Sequence, residues 1–315
     1  LPVQSTSIVF FGTDVFSIPS LQALIDAKYQ IEAVVTKPDA RVGRDREVSP
    51  PPVKVLANSH DITVLQPSSA KELLALISGL NSVHGVVVAY GRIISTAVLD
   101  HFTGGLVNVH PSLLPKYRGP APIEAAILNG DSRTGICIMR LDAGMDTGPV
   151  YIREAVPLSG NETRPTLHDQ LASRGAEVLA DNLTDIITGA LKPVSQSSFT
   201  DEQLSVTSLI SKVDGIIDWI KPAAAIERHI RAHLGWPGSK TMIDGIDATI
   251  TAAHTGDSLL LVGTGETGGQ PGTPFKTTAG ELAIITGHGE LIVDRIKPAG
   301  KNEMTGQAFL AGHKL

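Results

Sequence analysis

Through its first two hundred residues the chain alternates short, uninterrupted apolar runs with stretches whose apolar residues recur at helical spacing. "SIVFF" (7–11) is followed by "SIPSLQALIDAKY" (17–29), "IEAVVT" (31–36) by a polar loop, and "GVVVAYG" (85–91) by "RIISTAVLDHF" (92–102). "LVNVH" (106–110) and "GICIMRL" (135–141) extend the series, and between them "APIEAAILNG" (121–130) reads as a helix that Gly130 is suited to end. Apolar strands separated by helices are the signature of βαβ units whose sheet is covered on both faces. The pattern predicts an α/β, Rossmann-like domain with a mostly parallel sheet over residues 1–190.

A long helical pattern (166–191) then runs into the Ser/Thr-rich "KPVSQSSFTDEQLSVTS" (192–208), which places a linker at 191–206. Residues 217–240 read as a helix, and from Lys240 short strand-like runs are separated by Gly- and Asp-rich turns. That spacing predicts a small, OB-like C-terminal β-barrel domain over 207–315. "GTGETG" (263–268) matches G-x-G-x-x-G, but it continues into "GQPGTPF", which cannot open a helix and so offers no helix N-terminus to a pyrophosphate. The first strand-to-helix turn, "FFGTDVFS", has the single glycine Gly12, which also counts against a nicotinamide-binding fold.

Composition narrows the classes. With 42% hydrophobic and 18% charged residues the 315-residue chain is an ordinary globular protein, long enough for two domains. Its net charge of -6 argues against a generally basic nucleic-acid binder without excluding a locally basic surface. Cys137 is the only cysteine, which excludes a disulfide framework and fits a reducing compartment; its strand-like setting marks it as a buried structural thiol. No apolar run approaches the roughly 18 residues of a membrane helix, and the start lacks a charged leader, so a soluble, cytoplasmic protein is expected.

The chemistry concentrates in "VNVHPSLLPKYRG" (107–119). Side chains two apart on a strand share a face, so Asn108 and His110 point the same way while Val107 and Val109 face the core. Ligands of a βα fold bind at the carboxyl ends of its strands, and this pair stands at one. Pro111, Pro115 and Pro120 stiffen the loop that follows. "LDAGMDTGP" (141–149) carries Asp142 and Asp146, and neighbouring parallel strands would bring it to the same sheet edge. A carboxylate, an imidazole and an amide together supply an acid/base pair and a donor for a developing oxyanion, the parts of acyl transfer to an amine. No covalent nucleophile is evident: Ser112 lacks a G-x-S-x-G setting. A metal held by His110, Asp142 and Asp146 is chemically acceptable, but no second histidine has ligand spacing nearby, so no metal is expected.

"VVVAYGRII", "NVHPSLLPKYRGPAPIEAAILNGDSRTG" and "LDAGMDTGPV" closely resemble the formyltransferases that take their formyl group from 10-formyltetrahydrofolate. The loop "TKPDARVGRDREVSPPPVKVLA" is similar to that of the members acting on initiator methionyl-tRNA, and with "IDWIKPAAAIERHIRAHLGWPG" and "IKPAGKNEMTGQAFL" the likeness spans nearly the whole chain. The resemblance implies that Asn108 hydrogen-bonds the formyl oxygen, while His110 and Asp146 manage the proton of the attacking α-amine and support the tetrahedral intermediate. It implies a folate site along Val88, Tyr90, Ser112, Leu113, Asp142 and Gly144, approached largely through backbone groups. It maps an arginine that handles the tRNA acceptor end onto Arg44, whose neighbour Arg46 is here flanked by Asp45 and Glu47.

From Thr207 onward ten Lys/Arg meet eleven Asp/Glu, so no overall basic charge supports RNA binding. Local strips remain: Arg228, Arg231 and Lys240 flank "WPG" and are the candidate tRNA contacts of the barrel. Trp219 and Trp236 are expected to pack rather than to stack on bases. The leading reading is a monomeric enzyme that formylates methionyl-tRNA; its rivals are a formyltransferase acting on an amino-sugar nucleotide and a non-catalytic folate- or RNA-binding protein.

Overall fold

The computed structural model describes residues 6–42, 47–256 and 269–313. Its first unit comprises Leu1–Pro122, Arg133–Pro157 and His168–Thr207; its second takes Ile123–Ser132, Leu158–Leu167 and Ser208–Leu315.

The first unit is built on a seven-stranded sheet. Strands β1 (Ser7–Gly12) and β2 (Gln30–Val35) are joined by α1 (Ile18–Asp26), and a small antiparallel pair follows, β3 (Ala40–Val42) with β4 (Glu47–Ser49). Then come α2 (Pro52–Ser59), β5 (Val64–Leu65), α3 (Ala70–Ile77), β6 (His84–Val88), α4 (Thr96–His101) and β7 (Gly105–His110). The chain then forms α5 (Pro122–Asn129), which falls almost wholly in the second unit, before the hairpin β8 (Arg133–Arg140) and β9 (Val150–Pro157) completes the sheet and α6 (Arg164–Thr188) follows. The order is β5-β2-β1-β6-β7-β8-β9. The chain works outward from β1 to β5, then returns to lay β6 against the other side of β1, so the strand order reverses between β1 and β6, where α/β sheets open a ligand crevice. Val9, Phe11, Val35 and Val87 form the core on one face with Leu73, Ile77 and Phe102.

Four sequence expectations change. The strands are parallel only as far as β7; β8 runs antiparallel to it, with Val107 opposite Arg140 and His110 opposite Cys137. A helix begins only at Thr96, not Arg92: Ser95 is extended (ψ 157°) and Ile93 is almost fully exposed. The polar loop expected after Thr36 contains α2 and α3, α2 opening on Pro52 at a first-turn position that needs no N–H donor. The stretch 191–206 is no free linker, for Val194 pairs with Val150, Val206 pairs with Arg118, and Gln196 is 3% exposed. Cys137 lies where expected, fully buried, its thiol pushed up to about 12 by desolvation.

The second unit is an antiparallel half-barrel. Its strands β10 (Ser239–Ile243), β11 (Ile246–Thr255), β12 (Pro274–Lys276), β13 (Leu282–Ile285) and β14 (Glu290–Pro298) follow the order β10-β11-β14-β13-β12, with β15 (Met304–Thr305) beside β14. Helices α7 (Ala223–Ala232) and α8 (Gly306–Gly312) supply Ile226, Ile230 and Phe309 to a core with Ile250, Leu282, Leu291 and Ile296. The helix expected over 217–240 is confined to α7 because Pro222 opens it and Gly235 turns the chain at φ 91°. Ile217 instead donates its N–H to Lys240 along β10. The "GTGETG" string lies outside the described residues. Among those residues no helix is long and apolar enough to cross a membrane.

Candidate active site

Asn108 is level with Val87 of β6, which in turn is level with Phe11 of β1, so the amide stands one strand away from the crevice between β1 and β6. Its neighbours on β7, Val107 and Val109, are buried, and so are Asn108 (9% exposed) and His110 (4%). The polar face therefore points into the protein and not to water. Among the described residues the Asn108 side chain has no hydrogen-bond partner, which leaves a buried amide free to meet a ligand oxygen.

After His110 the chain doubles back. Nε2 of His110 lies 2.9 Å from the Tyr117 carbonyl, and that acceptor requires Nε2 to carry the proton. Nδ1 then faces the Asp146 carboxylate, 3.7 Å from Oδ2. The turn that permits this has Tyr117 at φ 59° and Gly119 at φ 104°, and the Gly119 N–H donates to the same Asp146 oxygen at 2.8 Å. Because β8 is antiparallel, the Asp146 loop leaves the end of β8 that pairs with the start of β7; it is this return of residues 111–119 that meets it.

Asp146 itself is held at φ 53°, a conformation that costs a non-glycine residue on the order of 1 kcal/mol or more. Its carbonyl accepts a hydrogen bond from Nε2 of Gln196 at 2.8 Å, and the second Nε2 hydrogen goes to the Gly148 carbonyl, also at 2.8 Å. Oε1 of Gln196 accepts from Nε and Nη2 of Arg118 at 3.0 and 2.8 Å. Sequence reasoning missed Gln196, whose Ser-rich surroundings look like an ordinary linker. Among the described residues no group of three or more His, Cys, Asp or Glu is placed to hold a metal ion.

The chain was compared with known proteins. The Formyl transferase family profile matches residues 6–183, and the profile of the Formyl transferase, C-terminal domain, matches 209–314. The methionyl-tRNA formyltransferase of Pelobacter propionicus is 40% identical over 312 residues, covering 98% of this chain and 94% of that protein. The chain belongs to the formyltransferase family. Among solved structures, the sugar 3N-formyltransferase WlaRD, determined in the presence of dTDP and 5-N-formyl-THF, shares the fold with a TM-score of 0.68 at 20% identity, over 94% of this chain and 99% of that one. HypX from Aquifex aeolicus in complex with tetrahydrofolic acid has a TM-score of 0.64 at 14% identity; the match covers 96% of this chain and 46% of HypX.

The other residues expected to serve this formyltransferase fall into distinct settings. Val88 ends β6 with no exposure, and the next residue, Ala89, turns at φ 46°. Tyr90 sends its ring into the core edge-on to Phe11, while its carbonyl accepts from the Thr13 hydroxyl at 3.0 Å. Ser112 is fully buried with its hydroxyl donating to the Lys116 carbonyl, and the Leu113 side chain packs over Gly135. Asp142 secures its own loop by accepting from the Gly144 N–H at 3.1 Å and the Thr147 hydroxyl at 2.7 Å. Gly144 is exposed on that loop.

Arg44 lies outside the described residues, its sequence position falling between the two strands of the β3–β4 hairpin. Asp39, just before that hairpin, is held by Lys54 at 2.8 Å, and hydrogen bonds from Lys54 and Gln66 keep its carboxyl below the usual range. Arg231 grips Glu227 with Nε and, at 2.9 Å, Nη2, while Nη1 donates to the Glu162 carbonyl at 2.7 Å. Arg228 donates to the Leu128 carbonyl at 3.1 Å. Lys240 is exposed on β10. Of the three basic candidates in this unit, Lys240 has no side-chain hydrogen bond or ion pair among the described residues, Arg228 meets only a backbone carbonyl, and Arg231 is already paired with Glu227. Trp219 packs as expected, its indole N–H on Thr241, but Trp236 is 49% exposed.

Proposed function

We propose that this chain transfers the formyl group of 10-formyltetrahydrofolate to the α-amine of methionine on initiator methionyl-tRNA, giving the N-formylated tRNA used to begin protein synthesis. The observation that carries the chemistry is a buried, unengaged Asn108 amide two positions along β7 from His110, which meets the Asp146 carboxylate. The likeness to methionyl-tRNA formyltransferases over 98% of the chain supports the choice of acceptor.

A buried amide donor without a partner fits a ligand that brings a carbonyl oxygen, and the backbone turn at Val88–Tyr90 beside the crevice fits a flat heterocycle that needs backbone donors and acceptors. The folate supplies an electrophilic formyl carbon. Asn108 donates to the formyl oxygen, a bond that strengthens as negative charge gathers there and so favours the transition state over the ground state. With Nε2–H committed to the Tyr117 carbonyl, Nδ1 of His110 is the nitrogen with a lone pair to accept the proton shed by the attacking amine. The Asp146 carboxylate then stabilises the imidazolium, and the Gly119 N–H keeps that carboxylate in place; as the tetrahedral adduct collapses, its bond to N10 of the folate breaks and N10 leaves with the proton returned from the imidazolium, giving tetrahydrofolate.

On the acceptor side, Arg44 and the exposed Lys240 are the residues proposed to meet tRNA phosphates. Because every group in the catalytic set comes from one chain, the enzyme is proposed to act as a monomer, in the cytoplasm where charged tRNA is used. The deciding experiment presents purified protein and 10-formyltetrahydrofolate with either methionyl-tRNA or a UDP-amino-sugar. Formylation of the tRNA is expected; formylation of the sugar alone overturns the acceptor. Arg44→Ala is expected to weaken use of tRNA more than use of folate, and equal losses would remove that assignment.

A further inference from the structure

We propose that Gln196 is the positioning residue of the catalytic aspartate, so that the stretch after α6 is a working part of the active site. The inference rests on the assignment of Asp146 as a catalytic residue, made above. Gln196 is 3% exposed and its amide is fully used: both N–H groups donate, to the Asp146 and Gly148 carbonyls, and the oxygen accepts twice from Arg118. Its two ends thus join the backbone that presents Asp146 to the side chain of the residue between Tyr117 and Gly119. Those flanking residues supply the carbonyl that fixes the His110 tautomer and the N–H that holds the Asp146 carboxylate.

The geometry calls for glutamine. Asp146 sits at φ 53°, which an aspartate leaves unless its surroundings hold it. Gln196 pins the carbonyl of Asp146 itself and that of Gly148, two residues further on. A glutamate could keep the Arg118 bonds but would turn a carboxylate oxygen toward two carbonyls; a methionine fills the same space and offers neither donor nor acceptor. The strap that delivers Gln196 is itself anchored at both ends. Val194 exchanges backbone hydrogen bonds with Val150 at 2.8 Å, and the Ser205 carbonyl and hydroxyl bond the N–H groups of Arg118 and Tyr117 at 3.0 and 2.9 Å. Between them Asp201 pairs with Arg153 at 2.9 Å, and Arg153 also lies over the Phe199 ring. A side chain mounted this way has little freedom to move, which is the requirement for holding another residue in place.

The test is a double-mutant cycle read by single-turnover formylation, with Gln196→Met and Gln196→Glu placed in wild-type and Asp146→Asn backgrounds. A displacement of the carboxylate by about 1 Å is expected to slow turnover on the order of 100-fold, with KM for folate and tRNA little changed. If Gln196 acts through Asp146, the same substitutions cost almost nothing further once the carboxylate is gone. Gln196→Glu should be as slow as Gln196→Met; near-wild-type turnover in it would overturn the proposal, because the Arg118 bonds alone would then suffice. A penalty of equal size in both backgrounds would also overturn it, marking a structural role unconnected with Asp146. Should Gln196→Met fail to fold, as read by its thermal midpoint, the cycle with Gln196→Glu decides alone. Asp146→Asn with near-normal turnover is a separate outcome that removes the active-site assignment itself.

Discussion

Gly119 donates its backbone N–H to the carboxylate of Asp146 at 2.8 Å, across 27 positions of sequence. Gly119 adopts φ 104°, which carries the following chain away while its N–H stays on the aspartate. A side chain there is doubly excluded, since a Cβ would sit 2.7 Å from the Thr207 carbonyl oxygen, a backbone atom that cannot swing aside. Gly119→Ala is therefore expected to slow formylation by roughly 10- to 100-fold through a misplaced carboxylate, and to lower stability by about 1–3 kcal/mol. Steady-state rates with urea unfolding check both; wild-type turnover in a folded variant would mean that the Asp146 carboxylate does not depend on this bond.

His110→Ala and Asp146→Asn remove the proton acceptor and its counter-charge without creating strain, so both should fold normally and lose turnover by about 10²- to 10⁴-fold. Asn108→Ala should lose roughly 10²- to 10³-fold as an oxyanion donor. Circular dichroism and single-turnover rates separate folding from chemistry. Near-normal rates in the first two variants would remove the proposed proton path.

The proposed catalytic trio can be assembled from the sequence because each member belongs to a local pattern: Asn108 and His110 through strand alternation, Asp146 through a Gly-rich loop after a strand. The direction of β8 was not, since a buried apolar run reads alike in parallel and antiparallel sheets, and the hairpin partner β9 has the mixed composition of an edge strand. Gln196 was hidden for a different reason. Its importance comes from long-range partners, Arg118 at 78 positions and Asp146 at 50, and nothing in a Ser-rich neighbourhood signals them. Arg231 shows the converse limit: the sequence near "WPG" displays its charge but not its partner, and α7 places Glu227 four positions earlier on the same face, where it claims the guanidinium.

That pairing separates the basic candidates by their response to salt. Replacing a residue that meets a tRNA phosphate should reduce the slope of log affinity against log salt by about one unit, while a neutralised arginine contributes nothing to it. Lys240→Ala is expected to flatten the slope. Arg231→Ala should leave it unchanged and instead lower stability by about 1–3 kcal/mol, through the unpaired Glu227 and Glu162 groups it leaves behind. Salt titrations of tRNA binding with both variants check this, and a flattened slope for Arg231→Ala would show that its ion pair opens to meet RNA.

His233 sets a pH dependence of stability. Its ring is 2% exposed, neither nitrogen has a hydrogen-bond partner among the described residues, and burial, aided by the nearby ring of His229, pulls it down to about 4 from an ordinary 6.5. A histidine held neutral in the folded state costs nothing at pH 7, where the unfolded chain is also largely neutral. As the pH falls below about 6.5 the unfolded chain takes up a proton that the folded one refuses, so stability declines until the folded ring titrates near 4. His229, lowered by burial in the same way, adds to the decline; Asp214, lowered by its Ser211 hydrogen bonds, acts below the ordinary carboxylate range and so outside this window. Urea unfolding at pH 7 and pH 4.5 should show a loss that His233→Leu reduces by about 2 kcal/mol. Equal losses in the two proteins would mean that the ring finds a partner for its charge in the folded state.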